Sequence, residues 1–206
     1  MKLTNRWNRI IYRLWAPVYD AALQRLFLPG RTAALRLLAL RPGERVLLVG
    51  VGTGADLPLL PEGVEAVGID LSEEMLGRAR ARLPLPGRPV HLLQGDAQAL
   101  PVEQASFDAA VLNLVLSVVP DGVRCLEAAS LALRPGGRMV VFDKFLPDDG
   151  RPSMLRRVLN AFSTLLGTDI NRRFGQLSQG CGCVVVEDEP SILNGLYRVL
   201  LLKRTP

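Results

Sequence analysis

From residue 44 onward, short apolar runs alternate with segments of helical periodicity. ERVLLVG (44–50), VEAVGID (64–70), PVHLLQG (89–95), FDAAVLN (107–113) and GRMVVFDKF (137–145) read as strands. Their apolar residues follow one another instead of alternating with polar ones. That is the pattern of strands covered by helices on both faces. Between them, SEEMLGRARARL (72–83) and DGVRCLEAASLAL (121–133) have helical spacing. Ser72 can cap the first, and the acidic residues behind it suit the positive end of the helix dipole. Strand–helix alternation predicts a parallel sheet with right-handed crossovers. In the tail, GCVVVED (182–188) and GLYRVLLLKR (195–204), joined by Pro190, are expected to form an antiparallel pair at one edge.

The two flanks carry a different pattern. In MKLTNRWNRIIYRLW, Leu3, Trp7, Ile10 and Leu14 form one helical stripe, broadened by Ile11 and Trp15. Lys2, Arg6, Arg9 and Arg13 form a basic stripe beside it. Such a helix can lie in a membrane interface, or can cover a ligand site with the same apolar face. In the segment 151–174, Val158, Leu159, Phe162, Leu165 and Leu166 make an apolar helical face flanked by Arg151, Arg156 and Arg157. This face suits an anionic, greasy substrate or a lipid surface, or an ordinary core helix with a solvated basic side.

Composition narrows the class. The chain has 206 residues, 49% of them apolar and 22% charged, as in one folded α/β domain. No apolar run reaches the roughly 18 residues of a membrane span, and no small-residue cleavage site follows the basic N-terminus. Three cysteines make no disulfide framework, so a reducing cytoplasm is expected. The net charge of +5 favours anionic partners, acidic lipid or nucleic acid, or reflects an arginine-rich proteome. No separate RNA-binding module and no Asn-Pro-Pro-Tyr motif accompanies that charge, so no nucleic-acid partner is expected, and a monomer is.

Candidate chemistry starts at VLLVGVGTGADLPLL (46–60). Gly50, Gly52 and Gly54 lie between a strand and an expected helix, where bare N–H groups can approach a ligand. No Gly-Lys-Ser/Thr follows, which excludes a triphosphate P-loop. Gly50-Val-Gly52-Thr-Gly54-Ala55 satisfies the relaxed dinucleotide pattern. Asp70 ends the next strand and can accept both hydroxyls of a ribose, of NAD or of another adenosine ligand, or can simply cap the helix behind it. Asp96, at the end of the third strand, can hold the amino group of an adenine, and Ala97 can offer its N–H to the ring. Pro135-Gly136-Gly137 makes a tight turn before the fifth strand.

Taken in order, VLLVGVGTG, GIDLSEEML, GDAQALPVEQASFDAAV and LRPGG resemble class I S-adenosylmethionine (SAM)-dependent methyltransferases, over about residues 44–145. The resemblance implies an α/β, three-layer, Rossmann-like sheet of seven strands in the order 3-2-1-4-5-7-6, with strand 7 antiparallel. It implies SAM as cofactor, the glycine loop facing its methionine half, Asp70 on the ribose, Leu71 and Met75 near the adenine, Asp96 and Ala97 reading it, and Asn113 beside the methyl donor. It also implies one domain: residues 1–43 a helical lid, 44–145 the SAM core, and 146–206 a substrate-side helix with the closing hairpin. In this family an acidic residue often stands where this chain has Leu48, and helps to anchor the cofactor's ammonium group. Here another group must do so, or binding is weaker. LWAPVYD (14–20) is similar to the entrance of the ubiquinone/menaquinone C-methyltransferases and of bacterial phosphatidylethanolamine N-methyltransferases, more to the latter. That implies a lipid-like amine acceptor, peripheral contact of residues 1–15 with an anionic membrane, and Tyr19 closing over SAM. Otherwise Tyr19 and Asp20 pack the next helix. A quinone or other small-molecule acceptor, and an NAD-binding or non-catalytic SAM-binding module, are the alternatives.

Other candidates are few. His91 lies inside an apolar strand, where a structural role is expected. Asp143 and Lys144 end strand five, near the active edge or as a surface pair. No catalytic base emerges. Cys181 and Cys183 lack the usual metal spacing and read as buried small residues.

Overall fold

The computed structural model describes residues 24–146 and 171–206. The basic stripe of residues 1–15, Tyr19, Asp20 and most of the segment 151–174 lie outside the described residues.

Seven strands form one sheet: β1 (Arg45–Val49), β2 (Glu65–Asp70), β3 (Val90–Gln94), β4 (Phe107–Asn113), β5 (Leu133–Lys144), β6 (Cys183–Pro190) and β7 (Tyr197–Arg204). Their order is β3-β2-β1-β4-β5-β7-β6, with β7 antiparallel to both neighbours. The expected α/β architecture is the one observed. The helices are α1, described over 24–38, α2 (Glu73–Arg80), α3 (Gly122–Ala132) and the single turn α4 (Phe174–Leu177).

Successive residues of a strand point to opposite faces, so central strands must be apolar at every position. Leu47 and Val49 enter the core under α3 and α4, with Leu126, Ala129, Phe174 and Leu177. Val46 and Leu48 enter the opposite core under α1 and α2, with Phe27, Leu35, Leu38 and Leu76. Helix α1 comes unusually close to the sheet: a Cβ on Gly30 would sit 2.2 Å from the Phe142 ring. Ser72 caps α2 as expected, accepting the Met75 N–H at 3.3 Å.

Several sequence expectations are corrected. No helix follows the glycine loop. Residues 52–56 are turns and only the 3₁₀ turn Leu57–Leu59 follows, because Pro58 and Pro61 leave too little unbroken chain before β2. Strand β3 is not covered on both faces. Residues 95–106, which lead to β4, contain no helix, and His91 and Leu93 are exposed. His91 is thus a surface residue of an edge strand, not part of the core. Strand β5 starts earlier than expected, at Leu133, because Pro135-Gly136-Gly137 is absorbed as an irregularity in the pairing with β4. Pro190 is the last residue of β6, paired with Arg198, and residues 191–196 make the hairpin connection.

Candidate active site

The carboxyl ends of β1, β2, β3 and β4 bring together the candidate cofactor residues other than Tyr19, which lies outside the described residues. At the end of β1, Gly50, Gly52 and Gly54 all take left-handed φ values, 69°, 55° and 75°, which side chains disfavour. Their surroundings differ. A Cβ on Gly50 would strike Val115 at 2.8 Å, and one on Gly54 would strike Leu57 at 2.9 Å. Among the described residues, one on Gly52 would meet only the Gly50 carbonyl, at 4.0 Å. The first and third glycines serve packing, and the middle one has open space around it among the described residues.

Asp70 closes this loop from β2. Its Oδ2 accepts the Gly52 N–H at 2.8 Å and its Oδ1 accepts the Ser72 N–H at 2.9 Å. Burial raises its pKa above the ordinary carboxylate value, against the lowering effect of the N–H groups of Ser72, Gly52 and Leu71. A carboxylate has about four lone-pair positions, so Asp70 can hold the loop and still accept bonds from a ligand's hydroxyls. Met75, buried on the first turn of α2, and partly buried Leu71 follow it.

Asp96 and Ala97 follow β3. The Asp96 carboxylate accepts both the backbone N–H of Gln98 (2.9 Å) and its side-chain amide (2.9 and 3.2 Å). Gln98 in turn accepts the Asp121 N–H at the start of α3, at 2.9 Å. An amino group approaching Asp96 shares the carboxylate with Gln98, a residue that sequence reasoning missed because nothing in a polar turn marks it.

Asn113 ends β4. The register pairs Leu48 with Val111, so Asn113 stands level with Gly50 and on the same sheet face as Leu48. Its Nδ2 donates to Asp56 Oδ1 at 3.0 Å, and Asp56 Oδ2 takes the Arg31 guanidinium at 2.6 Å. Neither Asp56 nor Arg31 was anticipated. A lone acid in the apolar run GADLPLL was the one available signal for Asp56. Arg31 has none, since α1 brings it in from 25 positions away. Asp143 does not form a surface pair with Lys144. It is fully buried, and its carboxylate accepts the backbone N–H groups of Ser117 and Lys144, each at 2.8 Å. Lys144 lies over the Tyr197 ring, 5.8 Å from its centroid. Cys181 is buried ahead of β6, and Cys183 is half-buried, its thiol donating to Ser130 Oγ at 3.2 Å.

Asp70, Asp96 and Asn113 thus stand at the carboxyl ends of β2, β3 and β4, and Asp70 bonds Gly52 directly. A pyrophosphate has less to hold it, because among the described residues no helix follows the glycines directly to offer its N-terminus.

The family described as "Methyltransferase domain" matches residues 47–141. A phosphatidylethanolamine N-methyltransferase of Cereibacter sphaeroides is 35% identical over 196 residues, 94% of this chain and 95% of that protein. A demethylmenaquinone methyltransferase of Beutenbergia cavernae is 36% identical over 137 residues, covering 66% of this chain and 54% of its own length. Among solved structures, a SAM-dependent methyltransferase of Thermotoga maritima, titled a possible histamine N-methyltransferase, superposes with a TM-score of 0.71. It has 23% identity and covers 96% of this chain and 99% of its own.

Proposed function

Because the chain belongs to the SAM-dependent methyltransferases, we propose that it methylates a lipid-like amine, the head group of phosphatidylethanolamine. The observation that carries this is the extent of the match with the Cereibacter sphaeroides enzyme. It runs through both flanks of the cofactor core, where acceptor residues are expected, whereas the Beutenbergia cavernae relative matches a shorter part.

The described residues fit SAM on geometry. Gly52 leaves room for a ligand, Asp70 can take ribose hydroxyls, Leu71 and Met75 offer apolar surface, and Asp96 with Ala97 suits an adenine edge. Asn113 also has a buried Oδ1 without a partner among the described residues. Bound SAM supplies a methyl group on an electrophilic sulfonium. The protein's share is then alignment, which can lower a barrier by about 7–11 kcal/mol. A neutral amine needs no base from the chain, in keeping with the commitment of Asp143 to backbone N–H groups. The quinone reading, favoured by the Beutenbergia cavernae relative, asks for a general base at a ring carbon.

No described helix is long and apolar enough to cross a membrane. The proposed membrane contact uses Lys2, Arg6, Arg9 and Arg13. Sedimentation with phosphatidylethanolamine vesicles, with and without acidic lipid, tests it alongside transfer of labelled methyl to lipid. Replacing the four basic residues by Ala is expected to abolish sedimentation with acidic vesicles and depress lipid methylation. Unchanged sedimentation and turnover would end the interface reading. Methylation of demethylmenaquinone with none of phosphatidylethanolamine would replace the acceptor.

A further inference from the structure

Beside the glycine loop lies a buried polar group that the sequence reading did not anticipate. Asp56 is 3% exposed and follows Gly54 by two residues. Although it precedes the 3₁₀ turn Leu57–Leu59, its side chain does not cap it. Both carboxylate oxygens turn instead to Arg31 (2.6 Å) and Asn113 (3.0 Å). Each of those partners keeps one unsatisfied buried atom among the described residues: Arg31 Nε, a donor, and Asn113 Oδ1, an acceptor. Buried polar atoms without partners are uncommon because leaving one unbonded is costly. Here an unpaired donor and an unpaired acceptor flank one carboxylate, on the sheet face that Leu48 shares with Asn113.

A ligand that satisfies both atoms must offer an acceptor to Arg31 and a donor to Asn113. An α-amino acid zwitterion does so: its carboxylate suits Arg31 Nε, and its ammonium suits Asn113 Oδ1 next to the negative Asp56. We propose that Arg31, Asp56 and Asn113 form the subsite for the amino-acid head of the cofactor, taking over the anchoring that the missing acid at Leu48 would supply. Location supports the assignment. Asn113 is level with Gly50 across the β1–β4 pair, and Asp56 is tethered to Gly54, whose carbonyl accepts the Leu57 N–H at 3.1 Å. The close packing of α1 at Gly30 sets Arg31, the next residue, at the loop. Leu48, 1% exposed, does no more than pack.

This subsite rests on the SAM reading, and two probes separate the claims. S-adenosylhomocysteine carries the amino-acid head, while 5′-methylthioadenosine keeps the nucleoside and thioether without it. By calorimetry on the full chain, Asp56→Asn and Asn113→Leu are each expected to weaken S-adenosylhomocysteine about tenfold to a hundredfold, as for hydrogen bonds to charged groups. Both should leave methylthioadenosine within about threefold, which also shows that each variant is folded. Arg31→Leu should behave likewise. If the two probes lose affinity equally, or neither does, in whichever variant still binds methylthioadenosine or melts cooperatively, the subsite is refuted. Wild-type protein that binds neither probe would refute the SAM reading beneath it, and the subsite with it.

Discussion

Asp70 shows how one side chain can serve both loop and ligand. Its carboxylate holds the Gly52 and Ser72 N–H groups, and on the proposed reading its remaining lone pairs take ribose hydroxyls. Replacing Asp70 with Ala is expected to weaken S-adenosylhomocysteine by about 1–3 kcal/mol, measured by calorimetry. The pH dependence follows from burial, which raises its pKa above the ordinary value of 3.8. The free native state therefore holds this proton more tightly than the unfolded chain does. Asp70's contribution to stability is fully present below 3.8 and is lost as pH rises through the raised value. Hydroxyls that donate to the ionised form act in the opposite sense. Affinity for S-adenosylhomocysteine should climb as pH rises from about 4 through the raised pKa and then level off. A flat profile in the wild type, or an equal slope in Asp70→Ala, would remove Asp70 from the ribose. Asp70 was visible in the sequence because it ends a strand after a glycine loop. Arg31 was not, because its place at the loop depends on how α1 docks.

At the scale of elements, two helical glycines make opposite predictions. In α1, a Cβ on Gly30 would enter the Phe142 ring, whereas one on Gly77, in α2, would meet nothing within 4 Å among the described residues. Ala is favoured over Gly in a helix by about 0.8–1 kcal/mol, and overpacking a core costs about 1–3 kcal/mol. Gly77→Ala should therefore stabilise the protein by up to about 1 kcal/mol. Gly30→Ala should destabilise it, the steric cost outweighing the helical gain. Urea denaturation reads both, and stabilisation by Gly30→Ala would mean that α1 can lift from β5 freely. Strand and helix types were legible from periodicity, and the cap at Ser72 from its acidic neighbours. The missing helix after Gly54 was marked by Pro58 and Pro61, yet the strand–glycine–helix pattern of nucleotide sites outweighed them.

At the scale of the whole molecule, the C-terminal hairpin belongs to the core. Strand β7 sends Leu200 and Leu202 into one core and Tyr197 and Val199 into the other. Burying each such side chain contributes about 1.5–3 kcal/mol, so their joint loss rivals the 5–15 kcal/mol net stability of a typical domain. A chain cut before Cys183 is expected to show no cooperative thermal transition; a sharp calorimetric transition in that fragment would contradict a shared core. The local pattern alone determined the strand–helix alternation, the glycine turn and the acids at the ends of β2 and β3, because period, turn chemistry and adjacency are properties of neighbouring residues. Contacts between residues far apart in the chain were decided only by the tertiary structure: Arg31 on Asp56, Asp56 on Asn113, Gly30 on Phe142, Asp143 on Ser117. Each depends on the docking angle of a helix or the register of a strand, and no short segment of sequence encodes either.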